Sequence, residues 1–136
     1  MKILRVEHIG IAVRDIEMTK KIFEDAFGLS LTYEETFEVH SLKMAMYPVG
    51  ETQLEFLQGM AGTDPTSEWV EEHGEGLWHV CFEVEDIRAA LAELRGKGID
   101  LVHEEPVEGH EGNLVAFISP SSTSNIVVEL VEKIGR

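Results

Sequence analysis

Two stretches of this chain follow one pattern, HIGIAVRDI from residue 8 and HVCFEVEDI from residue 79. Each reads histidine, four residues, valine, one residue and Asp-Ile, and the second starts 71 residues after the first (79 − 8). Such a repeat restricts the fold to two copies of one unit. The likeness extends further, because DIEMTKKIFEDAFGLSL parallels DIRAALAELRGKGIDL. Each has an Asp suited to cap a helix, apolar residues at helical spacing and a Gly where the helix should stop. Ile87, Ala90, Leu91 and Leu94 make the apolar stripe in the second copy, and Ile16, Phe23 and Phe27 make most of it in the first. The ends correspond as well: MAMYPVGETQLEFL and VAFISPSSTSNIVVELV each read as strand, Pro-containing turn and strand with one glutamate among apolar residues.

Each half therefore reads strand, helix, strand, strand, strand. In module one, about residues 1–60, the elements are expected near 4–13, 15–27, 30–37, 42–48 and 52–58. In module two, about residues 75–136, they are expected near 77–84, 86–97, 100–105, 114–119 and 125–132. Between them, TDPTSEWVEEHGEG predicts a linking helix over about 63–74, with Asp64 as N-cap and Pro65 at the first helical position. The Gly-containing EGHEGN, residues 108–113, reads as a mobile loop. The fold class is α+β, one domain of 136 residues. Two pseudo-twofold-related βαβββ modules are expected to form a curved mixed sheet around a metal site.

That last expectation comes from strand alternation. Ile9, Ile11 and Val13 share one strand face, while His8 shares the other with Gly10 and Ala12. Trp78, Val80, Phe82 and Val84 share one face, while His79 lies opposite with Cys81 and Glu83. The bulky face of each strand suits packing under a helix, which leaves the histidine on the far face beside small neighbours. Glu55, in QLEFL, and Glu129, in VVELV, also lie opposite their apolar neighbours. A carboxylate among strand-core residues is costly unless its charge is paired or metal-bound. Histidine precedes glutamate by 47 residues in the first half (55 − 8) and 50 in the second (129 − 79). Each module thus offers one imidazole and one carboxylate. Together His8, Glu55, His79 and Glu129 suit a divalent ion and leave positions open for a substrate. Co²⁺, Mn²⁺, Ni²⁺ and Zn²⁺ all tolerate this donor set.

A net charge of −15 argues against nucleic acid as a partner, because its phosphates would be repelled over the whole surface. An anionic small substrate would need a local positive feature, for which a divalent cation is the obvious candidate. No apolar run reaches the roughly 20 residues of a membrane span, so no membrane partner is expected. The single cysteine, Cys81, makes no internal disulfide, and MKILRVEHIG lacks an apolar export region, so the expected compartment is the cytoplasm. Cys81 reads as a small core thiol.

VEHIGIAV, GEGLWHVCFEV and IVVELVE resemble the vicinal oxygen chelate superfamily, which includes glyoxalase I, extradiol dioxygenases and bleomycin-resistance proteins. Within it, HIGIAVRDIE, PVGETQLEFL, the GEG before the second histidine block and EEPVEGHEGNLVAFISP are most similar to the methylmalonyl-CoA epimerase family, in order and over nearly the full length. The resemblance implies a metal held by His8, Glu55, His79 and Glu129. It also implies interconversion of (R)- and (S)-methylmalonyl-CoA through a metal-stabilised enolate, an acyl-CoA thioester as substrate and a homodimer. Proton transfer on both faces of a planar intermediate needs two acid/base groups or one mobile one. Glu129 is one expected group. Lys43 stands where the family places a third-strand glutamate. By alternation it shares a strand face with Ala45 and Tyr47, opposite Leu42, Met44 and Met46, and three roles stay open for it: a base, a ligand for the substrate carboxylate, or an exposed side chain. Ser119-Pro120-Ser121-Ser122 replaces the family's His-Pro-Lys turn, which weakens the CoA assignment. Two alternatives remain open: a glyoxalase I-like lyase or isomerase acting on a thiol hemithioacetal, and a non-catalytic small-molecule binding protein of the bleomycin-resistance type.

Overall fold

The computed structural model describes residues 1–135. In chain order its elements are β1 (Ile3–Ala12), α1 (Ile16–Asp25), β2 (Tyr33–Phe37), β3 (Leu42–Val49), β4 (Thr52–Gly59), α2 (Pro65–His73), β5 (Gly76–Val84), α3 (Ile87–Gly96), β6 (Val107–Glu108), β7 (Leu114–Ile118) and β8 (Val127–Glu132). The protein is α+β, and the strand-helix-strand-strand-strand order occurs twice. The terminal module two position, Arg136, lies outside the described residues.

The chain forms two compact units, residues 8–78 and residues 1–7 together with those from 79 onward. In the unit of residues 8–78, β2 pairs antiparallel with β3, β3 with β4, and β4 parallel with residues 8–12 of β1. Helix α1 covers one face of that sheet. Val13, Ile16, Ala45, Tyr47 and Phe56 are buried there, with Phe23 packed against them. In the other unit β5 pairs parallel with β8, β8 antiparallel with β7, and β7 with β6. Its core is Val84, Ile87, Ala90, Leu91, Ala116, Ile118 and Leu130. The bulky strand face expected under each helix is the face found there, except that Trp78, expected under α3, packs against Met44, Met46 and Leu57 instead.

Both repeat helices are capped as their sequences predict. Asp15 accepts from Met18 N–H at 3.1 Å, and Asp86 accepts from Ala89 N–H at 3.0 Å. Gly28 and Gly98 follow the helices with φ of +68° and +80°, which L side chains adopt at a cost. Asp64 caps α2 with Pro65 in its first turn.

Three features depart from expectation. First, residues 1–7 belong with the second module rather than the first. The Met1 ammonium bonds Glu93, Glu85 N–H donates to Lys2 O at 3.3 Å, Arg5 meets Glu83 at 3.1 Å and Lys133 meets Glu7 at 2.9 Å. Second, the strand expected over 100–105 is a single bridge, Leu101 to Ile118, and β6 has two residues further on. Arg95 draws Glu104 to α3 at 2.8 Å, Phe117 N–H donates to His103 Nδ1 at 3.0 Å, and Pro106 has no N–H for a ladder. Third, residues 108–113 are folded rather than open. Gly109 N–H donates to Asn113 O at 2.7 Å, and buried Asn113 accepts from Ile134 N–H at 3.1 Å.

Candidate functional site

Strand register places the four proposed ligands in the same way in each unit. In the first, Gly10 of β1 is the register partner of Glu55 on β4, so His8 stands two residues before the position beside the carboxylate. In the second, Cys81 of β5 partners Glu129 on β8, so His79 also stands two residues before that position. The residue directly beside each glutamate is small, Gly10 or Cys81, which leaves room for an imidazole and a carboxylate to approach.

The approach is observed in both units. His8 Nε2 lies 3.5 Å from Glu55 Oε1, and His79 Nε2 lies 3.3 Å from Glu129 Oε1. All four residues are buried, with 4%, 6%, 6% and 7% of the surface of His8, Glu55, His79 and Glu129 exposed. Two ligand atoms each about 2.1 Å from one ion lie roughly 3.0–3.4 Å apart at octahedral to tetrahedral angles. The donor spacing within each pair is close to that range. The donors are also of the right kind, since a neutral imidazole and a carboxylate are borderline-to-hard ligands for first-row divalent ions. Each pair therefore fits a metal.

Apolar and aromatic residues flank each pair. Phe117 partners Glu129 in register, and its ring meets the His79 ring edge-on at 5.5 Å. On the Glu55 face, Met46 partners Glu55 and Met44 partners Leu57. These three apolar residues are buried with Tyr33, Phe37, Leu42 and Trp78 packed against them.

Lys43 does not join that face. It partners Gln58, whose Oε1 accepts the Ile16 N–H at 2.8 Å at the start of α1. Its same-face neighbours Ala45 and Tyr47 are buried beneath α1. The expected base on β3 therefore faces α1, opposite Glu55, and β3 presents only Leu42, Met44, Met46 and Pro48 to the Glu55 side. The missing information was register. Alternation fixed which β3 residues share a face, but only the Val49–Thr52 pairing across the tight Gly50–Glu51 turn says which face that is. The same register exposes a carboxylate that the sequence reading passed over. Glu35 of β2 partners Met44 and so lies on the Glu55 face, where it accepts from the Tyr33 hydroxyl.

Cys81 is fully buried. The Ser119–Ser122 turn is closed on itself and on the segment before it: Ser122 N–H donates to Ser119 O at 3.0 Å, and Ser122 Oγ accepts from Asp100 N–H at 2.9 Å. Burial would raise the Asp64 carboxyl, but bonds from Ser67 N–H, Ser67 Oγ and Ala61 N–H hold it below the ordinary aspartate value.

The model of the Glyoxalase/Bleomycin resistance protein/Dioxygenase superfamily matches residues 7–117. An uncharacterised protein of Bacillus subtilis, YqjC, is 32% identical over 131 residues, 96% of this chain and 94% of that one. The mitochondrial methylmalonyl-CoA epimerase of Bos taurus is 28% identical over 127 residues, 93% of this chain and 73% of that one. Among solved structures, a Streptomyces coelicolor methylmalonyl-CoA epimerase variant in complex with 2-nitronate-propionyl-CoA superposes with a TM-score of 0.92 at 26% identity, covering 98% of this chain and 97% of that one.

Proposed function

The chain belongs to the glyoxalase/bleomycin resistance protein/dioxygenase superfamily, and on that premise we propose that it is a metal-dependent epimerase interconverting (R)- and (S)-methylmalonyl-CoA. His8, Glu55, His79 and Glu129 would hold one divalent ion in this reading. The observation that carries it is the double occurrence of a buried His–Glu pair, 3.5 Å and 3.3 Å apart, at matched register positions. The likeness to methylmalonyl-CoA epimerases over nearly the whole chain supports the substrate class.

When bound, such an ion supplies Lewis-acid polarisation of the thioester and carboxylate oxygens that flank C2. The remaining work falls to the chain. Glu129 takes the C2 proton on one side of the substrate through the carboxylate oxygen that does not face His79 Nε2. Met44, Met46 and Leu57 on the Glu55 face, and Phe117 beside Glu129, give each pair apolar neighbours. Inversion also needs a proton delivered to the opposite side. Because Lys43 faces α1, we do not assign it that role. Glu35, on the Glu55 face of β2, is a carboxylate to test for it.

The absence of an acid or base from the Glu55 face of β3 favours a second reading. In a glyoxalase I-like isomerisation of a thiol hemithioacetal, one base removes a proton and returns it to the adjacent carbon.

The deciding experiment is exchange of the C2 hydrogen of methylmalonyl-CoA with solvent deuterium by fully metallated protein. Exchange with inversion supports the epimerase reading. Lack of exchange, together with turnover of a 2-oxoaldehyde hemithioacetal, replaces it with the second. A protein that takes up no Co²⁺, Mn²⁺, Ni²⁺ or Zn²⁺ on titration defeats both.

A further inference from the structure

The unit of residues 8–78 contains a cavity of about 480 Å³, within the size range of small-molecule sites. Leu42, Val39, Pro65 and Trp78 supply its apolar lining, and Thr63 and Thr66 are among its polar groups. Val39, at its rim, is 93% exposed, an apolar side chain left to water.

Two of these residues connect the cavity to the proposed ligand pair. Leu42 and Trp78 also pack against buried Met44, Met46 and Leu57, and Met46 is the register partner of Glu55. Leu42 partners Gly59, four residues along β4 from Glu55, a distance of about 13 Å at strand rise. An apolar track thus runs from the carboxylate to the cavity on one sheet face. Methionines make such a track adaptable to the shape lying on it.

The charge of the lining selects the occupant. Among the described residues the lining includes no lysine or arginine, and its one acid, Asp64, is committed to Ala61 and Ser67. Apart from His40 and the start of α2, which Asp64 already caps, nothing there would offset phosphate charge, and the net charge of −15 opposes it further. Two threonines, a serine and a histidine, alternating with Trp78, Leu42 and Pro65, match a chain that is itself part amide and part hydrocarbon. A wholly apolar tail would leave those polar groups without partners.

We propose that this cavity binds the neutral, amide-bearing pantetheine arm of the thioester, and that this enzyme recognises its substrate without gripping the nucleotide phosphates of coenzyme A. The proposal rests on the thioester reading of the preceding subsection. Its binding arm can be tested without turnover.

Methylmalonyl thioesters of coenzyme A, pantetheine and N-acetylcysteamine are compared by C2 hydrogen exchange, and free pantetheine is titrated against tryptophan fluorescence. The expected kcat/KM values for the coenzyme A and pantetheine thioesters agree within about threefold, and N-acetylcysteamine, which lacks most of the arm, falls at least tenfold. Val39→Glu reduces the advantage of pantetheine over N-acetylcysteamine and weakens pantetheine binding, with metal content unchanged. A hundredfold preference for coenzyme A over pantetheine overturns the proposal, as does a Val39→Glu variant with an unaltered preference. A large gain from lengthening the acyl chain, abolished by Val39→Glu, assigns the cavity to the acyl group and also overturns it. If pantetheine binds but no thioester exchanges its proton, the cavity assignment stands and the epimerase reading falls.

Discussion

Glu129 and Lys43 were both expected to handle protons, and their surroundings now separate them. Glu129 is buried 3.3 Å from His79, while Lys43 points toward the α1 side of its sheet. Glu129→Gln should lower C2 exchange by at least about a hundredfold, the usual contribution of a positioned acid or base. Lys43→Ala should leave exchange within about twofold, with circular dichroism showing the fold intact; a hundredfold loss would return it to the site. Glu35→Gln gives a sharper readout. Loss of inversion with exchange retained for one stereoisomer would identify Glu35 as the second group, and unchanged inversion would dismiss it. At this scale the pairing of each histidine with a glutamate was legible because a repeat marks it twice. The side of the sheet that Lys43 takes was not, because a side chain's face depends on pairing with another strand.

The start of α2 concentrates several constraints in a few atoms. Asp64 accepts from Ser67 N–H at 2.9 Å, from Ser67 Oγ at 2.7 Å and from Ala61 N–H at 3.0 Å. A Cβ on Gly59 would come within 2.0 Å of Asp64 Oδ1 and 2.2 Å of Ser67 Oγ. Gly59→Ala should therefore displace the cap and cost about 1–3 kcal/mol in urea denaturation, as overpacking does. Asp64→Asn should be destabilising at neutral pH. The folded carboxyl titrates below its unfolded value of about 3.9, so its stabilisation is present above that value and is lost as pH falls through the lower folded one. The stability gap between wild type and Asp64→Asn should consequently shrink below about pH 4. A gap that widened with acid would contradict the bonding described. The cap residues, the helix starts and most strands could be read from sequence because their signals are local. The segment over 100–105 could not, because what diverts it are contacts with Arg95 and Phe117, made by side chains well separated along the chain.

At the scale of the molecule, the first seven residues belong to the second compact unit, an arrangement with no local sequence signal. Arg5 faces Glu83, which is fully buried, and Lys133 faces Glu7, which is 3% exposed. Buried ion pairs add little net stability, but removing one partner leaves an uncompensated charge. Arg5→Met should cost on the order of 3 kcal/mol in urea denaturation, and Arg5→Met with Glu83→Leu should recover most of it. Equal losses in the single and double variants would show that the pair contributes nothing of its own. No helix among the described residues is long and apolar enough to cross a membrane.

The Glu7–Lys133 contact also orders events during synthesis. His8 follows directly on a residue held by one that leaves the ribosome 126 positions later (133 − 7). In a nascent chain Glu7 therefore lacks this partner until translation is nearly complete, whereas residues 8–12 can pair with β4 long before. On the proposed ligand set, which draws Glu129 from β8, chains stalled before that strand should emerge as apoprotein even in a metal-replete cell.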